Sequence, residues 1–235
     1  MKLYLINGWA MSPTTLHPLA SQLQTLGSAQ IISYQDYIQP TLAASLKYLQ
    51  TQIPPQSVVL GWSLGGMLAM QLNHLQPAQA IICLGSNIRF VANSNWPYAM
   101  PLQHFKGFYH QQEQHPYLNL LHFLRLCYAG EPQLKTQAQT WLDTSLSPAQ
   151  LLWGLNLLAR LDSHPTLNTN TPQLHLFGKQ DALVPTAAFN ALQKNWPAIT
   201  SYSLKGSHAF AISQVSQLMP YIHSFLHSLS HEPLI

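Results

Sequence analysis

Residues 58 to 72 read VVLGWSLGGMLAMQL: an apolar run ending at Gly61, a serine at 63, two more glycines, then apolar residues that continue at helical spacing. A short unbroken apolar run followed by a turn signal is the pattern of a strand buried on both faces. A chain that leaves such a strand and enters a helix within a few residues needs glycine on either side of the bend, where the backbone comes close to its neighbours. The bend leaves Ser63 projecting beyond the carboxyl end of the strand. A strand of this kind belongs in a parallel sheet covered by helices.

The rest of the chain fits that architecture. Apolar runs at Leu3 to Ile6, Ala29 to Ser33, Ala80 to Leu84, Gln173 to Phe177 and Thr200 to Leu204 join Val58 to Gly61 to give six expected strands. Helical patterns lie between them at Leu16 to Leu26, Leu42 to Gln52, Leu64 to Leu75, Thr186 to Asn195 and Gln214 to Ser228. From about Ser86 to Thr171 the alternation stops, and four helical stretches follow one another: Leu102 to His110, Tyr117 to Tyr128, Pro132 to Thr144 and Pro148 to Leu161. The expected organisation is an α/β core made of residues 1–85 and 172–235, a mostly parallel sheet with helices on both faces, and a helical lid over 86–171. The lid is bounded by NSNWPYAMP and HPTLNTNTP, both rich in proline and asparagine.

Composition narrows the function. With 235 residues and 47% hydrophobic content the chain can bury a full core, while charged residues make up only 7% of it. The formal net charge of +3 comes from scattered residues with no run that could follow a phosphate backbone, so nucleic acid is not expected as a partner. No apolar stretch reaches membrane-spanning length, and MKLYLI at the start is too short for a signal peptide's apolar core, so neither membrane nor secretion is expected. Cys83 and Cys127 lie in apolar contexts without pairing or metal spacing, which points to buried free thiols in the cytoplasm. The twelve histidines show no metal-ligand spacing, and no metal site is expected.

A serine hydroxyl attacks at neutral pH only when a base takes its proton, and that base needs a carboxylate to fix its tautomer. The few acidic residues make the search for it short. Asp36 precedes the serine, Glu113, Glu131, Asp143 and Asp162 fall in the insertion, and Glu232 is in the tail. Asp181, in LHLFGKQDALVP, follows the fifth strand; His208, in SLKGSHAFA, follows the sixth. Ser63, Asp181 and His208 thus stand in the order nucleophile, acid, base, each just past a parallel strand. Singly, Ser63 could be a turn residue, Asp181 a helix cap and His208 a loop histidine. The oxyanion of the tetrahedral intermediate needs backbone donors, expected from Leu64 N–H and, in INGWAM after the first strand, from Trp9 N–H.

With these residues placed, the chain resembles the α/β-hydrolases and, among them, the carboxylesterases that demethylate pimeloyl-[acyl carrier protein] methyl ester in biotin synthesis. The resemblance rests on NGW at 7 to 9, GWSLGG at 61 to 66, WP at 96 to 97, HFLRL at 122 to 126, WGLNLLARLD at 153 to 162, LFGKQDALVP at 176 to 185 and GSHA at 206 to 209. It implies Ser63, Asp181 and His208 as a triad, Trp9, Trp62 and Phe123 beside the substrate, and no metal or organic cofactor. It implies a carrier-borne acyl substrate, with Arg125 and Lys135 as candidate contacts for acyl carrier protein, and a monomer is expected. The chain departs from the family pattern in four places. Asn7 stands where histidine is usual, two leading strands are not expected, SYQDYIQPTLA replaces a glycine-rich turn, and the insertion offers only Arg89, Lys106, Arg125, Lys135 and Arg160 against four acids, a weak basic face for an acidic carrier. Two other functions fit the same residues: a general short-chain esterase or thioesterase, and a noncatalytic binding protein of the same fold.

Overall fold

A computed structural model describes residues 1–164, 167 and 170–229. Glu232 lies outside them, and the connection HPTLNTNTP is described only at 164, 167 and 170–172. Six strands, β1 (Lys2–Ile6), β2 (Ser28–Ile32), β3 (Val58–Trp62), β4 (Ala80–Leu84), β5 (Gln173–Gly178) and β6 (Thr200–Leu204), form one parallel sheet in the order β2-β1-β3-β4-β5-β6. The central strands β3 and β4 are buried at every position, which is why they read as unbroken apolar runs, whereas β2 and β6 at the edges are partly exposed.

Helix α1 (His17–Leu23) follows β1; α2 (Tyr34–Tyr37) and α3 (Leu42–Gln52) follow β2; α4 (Leu64–Leu75) follows β3. Between β4 and β5 come α5 (Leu102–Gln114), α6 (Pro116–Cys127), α7 (Lys135–Ala138) and α8 (Pro148–Arg160). Then α9 (Thr186–Asn195) joins β5 to β6, and α10 (Phe210–Ser213) and α11 (Val215–Leu229) follow β6. Parallel crossovers are right-handed, and the steps from β1 to β2 and from β3 to β4 run in opposite directions, so α1 and α4 cover opposite faces. Accordingly α1 packs on α11, and α3 on α4. The reversal falls between β1 and β3, and the crevice beyond the carboxyl ends of those two strands is where open parallel sheets place their ligands. Register brings the strand ends level: Ile6 lies beside Gly61, Trp62 beside Leu84, Leu84 beside Leu176 and Gly178 beside Leu204.

Two expected helices come out shorter. The pattern over Leu16 to Leu26 divides into a 3₁₀ turn at Pro13–Leu16 and α1, whose end tightens through bonds from Thr25 N–H to Gln22 O and from Leu26 N–H to Leu23 O before Gly27. Of Pro132 to Thr144, only a 3₁₀ turn at Pro132–Leu134 and α7 are helical. The chain beyond them is drawn against the loop after β1: Ser12 N–H donates to Trp141 O at 2.7 Å and Asp143 N–H to Ala10 O at 3.0 Å. Tertiary pairing there overrides local periodicity. Short helices also form at α2, where Ser33 and Asp36 make a reciprocal capping box, and at α10. Among the described residues no helix is long and apolar enough to cross a membrane.

Candidate active site

Ser63 sits at φ 55° and ψ −118°, a conformation that costs on the order of 1–3 kcal/mol and persists only where the surroundings impose it. Here its N–H donates to Leu84 O at 2.9 Å, and its carbonyl accepts from Gly66 N–H at 3.1 Å and Ser86 Oγ at 2.8 Å. A Cβ at Gly61 would collide with the backbone of Gly65 and Gly66, and one at Gly65 with the carbonyls of Ile6 and Asn7. Both glycines of the motif are thus fixed by close approach. The serine is left half-buried at the carboxyl end of the sheet.

Asp181 and His208 meet at that end. His208 Nδ1 lies 2.7 Å from Asp181 Oδ2, with the two side chains 0% and 1% exposed. The other carboxylate oxygen accepts from Leu183 N–H and Val184 N–H at 2.8 and 2.9 Å, so Asp181 braces its own loop and does not cap α9. A carboxylate opposite Nδ1 holds the ring proton there and leaves the Nε2 lone pair for another partner. Among the described residues Nε2 has none, and Ser63 Oγ makes no hydrogen bond to it. The acid–base half of the row is closed and the base–nucleophile half is open, as in many substrate-free sites. His175, buried in β5, is the contrast: its Nε2 lies 3.0 Å from Gln173 Oε1, its ring stacks on Phe177, and burial pushes its pKa down to about 3, which keeps it neutral.

The loop after β1 is held from within. Asn7 is fully buried; its Nδ2 donates to Ser12 O at 2.7 Å and Thr15 Oγ1 at 3.0 Å, and its Oδ1 accepts from Gly8 N–H at 2.9 Å. Tyr37 Oη donates to Asn7 O at 2.8 Å. Asparagine at this position supplies the donors and the acceptor that fold the loop. Trp9 N–H has no acceptor among the described residues, and Leu64 N–H, the first of α4, has no intrahelical one. These two amides flank the crevice between β1 and β3.

The structure also locates the remaining expected residues. The Trp9 indole is buried, donates from Nε1 to Leu151 O at 2.9 Å, and meets Phe123 edge-on with ring centroids 4.7 Å apart. Phe108, which sequence reasoning passed over, completes this aromatic group at 5.7 Å from Trp9. Trp62, expected beside the substrate, is fully buried and donates from Nε1 to His208 O at 3.2 Å, so its contact is with the base loop. Arg125 and Lys135 are exposed on α6 and α7. A cavity of about 500 Å³ runs beside α5 and α6, lined by Gly107, Phe108, Asn119, His122, Leu126 and, next to Asp181, Ala182.

No family model matches the chain. It is 30% identical over 244 residues to the pimeloyl-[acyl-carrier protein] methyl ester esterase of Aeromonas salmonicida, covering 95% of this chain and 94% of that one. This chain belongs to that esterase family. Another relative is the biotin biosynthesis bifunctional protein BioHC of Cellvibrio japonicus, 32% identical over 97% of this chain, which spans 48% of the length of that bifunctional protein. Among solved structures, an esterase from Exiguobacterium antarcticum superposes with a TM-score of 0.80 over 97% of this chain and 92% of its own, at 16% identity, which shows the shared α/β-hydrolase fold. The methyl ester esterase family therefore includes a chain whose site has Ser63 on a strained turn and a closed Asp181–His208 pair.

Proposed function

We propose that this chain is a cytoplasmic serine carboxylesterase that hydrolyses the methyl ester of pimeloyl-[acyl carrier protein] to pimeloyl-[acyl carrier protein] and methanol. The observation that carries the reading is the buried 2.7 Å contact between Asp181 and His208, which leaves Nε2 unpartnered among the described residues at the end of the sheet that bears Ser63. In this reading Ser63 Oγ attacks the ester carbonyl while His208 Nε2 takes its proton. The oxyanion is met by Trp9 and Leu64 N–H, each such donor worth about 3–4 kcal/mol of barrier. His208 returns the proton to the departing methoxide, and water activated by the same nitrogen then cleaves the acyl-enzyme, freeing the carboxylic acid. Asp181 keeps the proton on Nδ1 throughout. The acyl chain lies along Trp9, Phe108 and Phe123, and the acidic carrier rests on Arg125 and Lys135. Substrate specificity of this kind is supported by the family of the relatives.

The test is methanol release from the carrier-bound methyl ester by the wild type and by Ser63→Ala. The variant should lose at least about a thousandfold. Equal turnover by both proteins would end the reading. Wild-type cleavage of small aryl esters, without methanol from the carrier-bound ester, would instead support a general short-chain esterase.

A further inference from the structure

The backbone around His208 is held from three sides, and two of the holds come from one short segment of the helical insertion. Ala209 N–H donates to Cys127 O at 2.9 Å, and Ser207 N–H donates to Glu131 Oε2 at 2.8 Å. The carbonyl of His208 itself accepts from Trp62. Glu131 reaches this position because the chain turns back on leaving α6: Glu131 N–H bonds Tyr128 O at 2.8 Å, and Gly130 adopts φ 83° in open space, so glycine is needed there for its backbone and not for room. The same segment lies beside the acid, since burial and the neighbouring Asp181 carboxylate together raise the pKa of the Cys127 thiol.

Glu131 is only 9% exposed, and a carboxylate taken so far out of water needs donors. Those in place are Ser207 N–H and, at 3.3 Å on Oε1, Gln214 Nε2; no cation pairs with it among the described residues. The bond therefore does more for the loop than an ion pair does for a surface. Gly206, at φ 145°, precedes Ser207; its carbonyl accepts from Gln180 N–H at 2.9 Å and that of Ser207 from Phe210 N–H at 3.1 Å, and the Glu131 carboxylate holds the Ser207 N–H on the side of the insertion.

We infer that Glu131 is a positioning residue for the base, its carboxylate holding Ser207 N–H so that His208 Nε2 stays at the place where it serves Ser63. The inference rests on the esterase reading above. A shift of about 1 Å in a catalytic group can cost on the order of a hundredfold in rate, so a backbone bond one residue from the base has leverage.

The experiment compares Glu131→Ala, Glu131→Met and Glu131→Gln with wild type, using a small aryl ester, a fluorophosphonate probe of Ser63, and the low-field NMR signal of the proton between His208 Nδ1 and Asp181. Met fills the space without an acceptor, so it serves if Ala does not fold. Gln keeps an oxygen for Ser207, while Gln214 turns its own amide to suit. Expected for Ala and Met are a kcat about ten- to a hundredfold lower with KM within about twofold, slower labelling by the same factor, and a weakened or lost low-field signal. Gln should stay within about threefold of wild type and keep the signal. Wild-type kcat and signal in Ala and Met would overturn the inference, as would a loss in Gln equal to that in Ala. Turnover abolished by Ser63→Ala yet undiminished by Glu131→Ala would remove the inference and leave the esterase reading standing. If the wild type cleaves no ester at all, that reading falls, and the NMR signal alone decides the role of Glu131.

Discussion

The helical insertion meets the core in two unlike ways. At α8, Tyr34 Oη donates to Gln150 O at 2.6 Å and Trp9 Nε1 to Leu151 O at 2.9 Å, while past its end Gln71 Nε2 donates to Asp162 O at 3.0 Å. Gly154 lies directly under both aromatic groups, and a Cβ there would run into the Tyr34 hydroxyl and the Trp9 indole. At α5 the contact with the core is of another kind, ring edges between Phe108 and Trp9, and its side-chain hydrogen bonds stay within the insertion: Tyr109 Oη with Asn156 Oδ1 at 3.3 Å and Asn119 Nδ2 to Gln112 Oε1 at 2.9 Å. Leu102 at its start and Tyr117 and Leu118 beyond its end are exposed, Tyr117 by 70%. Hydrogen bonds fix register and angle, whereas apolar contact has no direction. The difference sets the two parts of the cover apart: α8 is tied to the core by directed bonds, and α5 borders the 500 Å³ cavity.

The largest effect expected from this contrast falls on Gly154. In an exposed helix, glycine to alanine stabilises by about 0.5–1 kcal/mol. At 154 the added methyl displaces Tyr34 or Trp9, and overpacking of about 1–3 kcal/mol with the loss of a hydrogen bond worth about 1 kcal/mol reverses the sign. Gly154→Ala should therefore be less stable by about 2 kcal/mol in urea unfolding. A midpoint equal to or above that of the wild type would show that α8 is not jammed against the core. Tyr34→Phe is gentler. It removes one bond to a carbonyl in the first turn of the helix and should cost about 1 kcal/mol, with the aryl-ester KM unchanged. A larger rise in KM than in instability would mean that α8 itself moves during turnover.

Much of this is legible in the sequence alone. The central strands are buried on both faces and so announce themselves as apolar runs; Ser63 lies just past β3, Asp181 past β5 and His208 past the partly exposed edge strand β6, and the structure brings the last two into contact. What local pattern cannot carry is the identity of a distant partner. Residues 141 to 143 continue a helical pattern, yet they pair with Ala10 and Ser12, more than a hundred residues earlier. Trp62 reads equally well as core or as substrate contact, and only the fold turns its indole toward His208 O. Glu131 was passed over as an acid because it lies in the insertion, and nothing in CYAGEPQ points to an amide 76 positions away. Periodicity reports which face is buried, not what it is buried against.

The smallest expected effect is the most discriminating, because it has the opposite sign. Gly107 lies in the middle of α5, as Gly154 lies in the middle of α8, but nothing stands within 4 Å of a Cβ built on it. Gly107→Ala should gain the full helix-propensity difference and raise stability by about 0.5–1 kcal/mol. The same residue lines the cavity beside α5, so the methyl reaches a space that a long acyl chain would use and a short one would not. Turnover of a small aryl ester should stay within about twofold, and any rise in KM should be confined to long-chain or carrier-borne esters. Two urea curves decide it: opposite shifts for the alanines at 107 and 154 separate a loose helix from a fixed one. Destabilisation of both to the same degree would mean that α5 is packed as closely as α8.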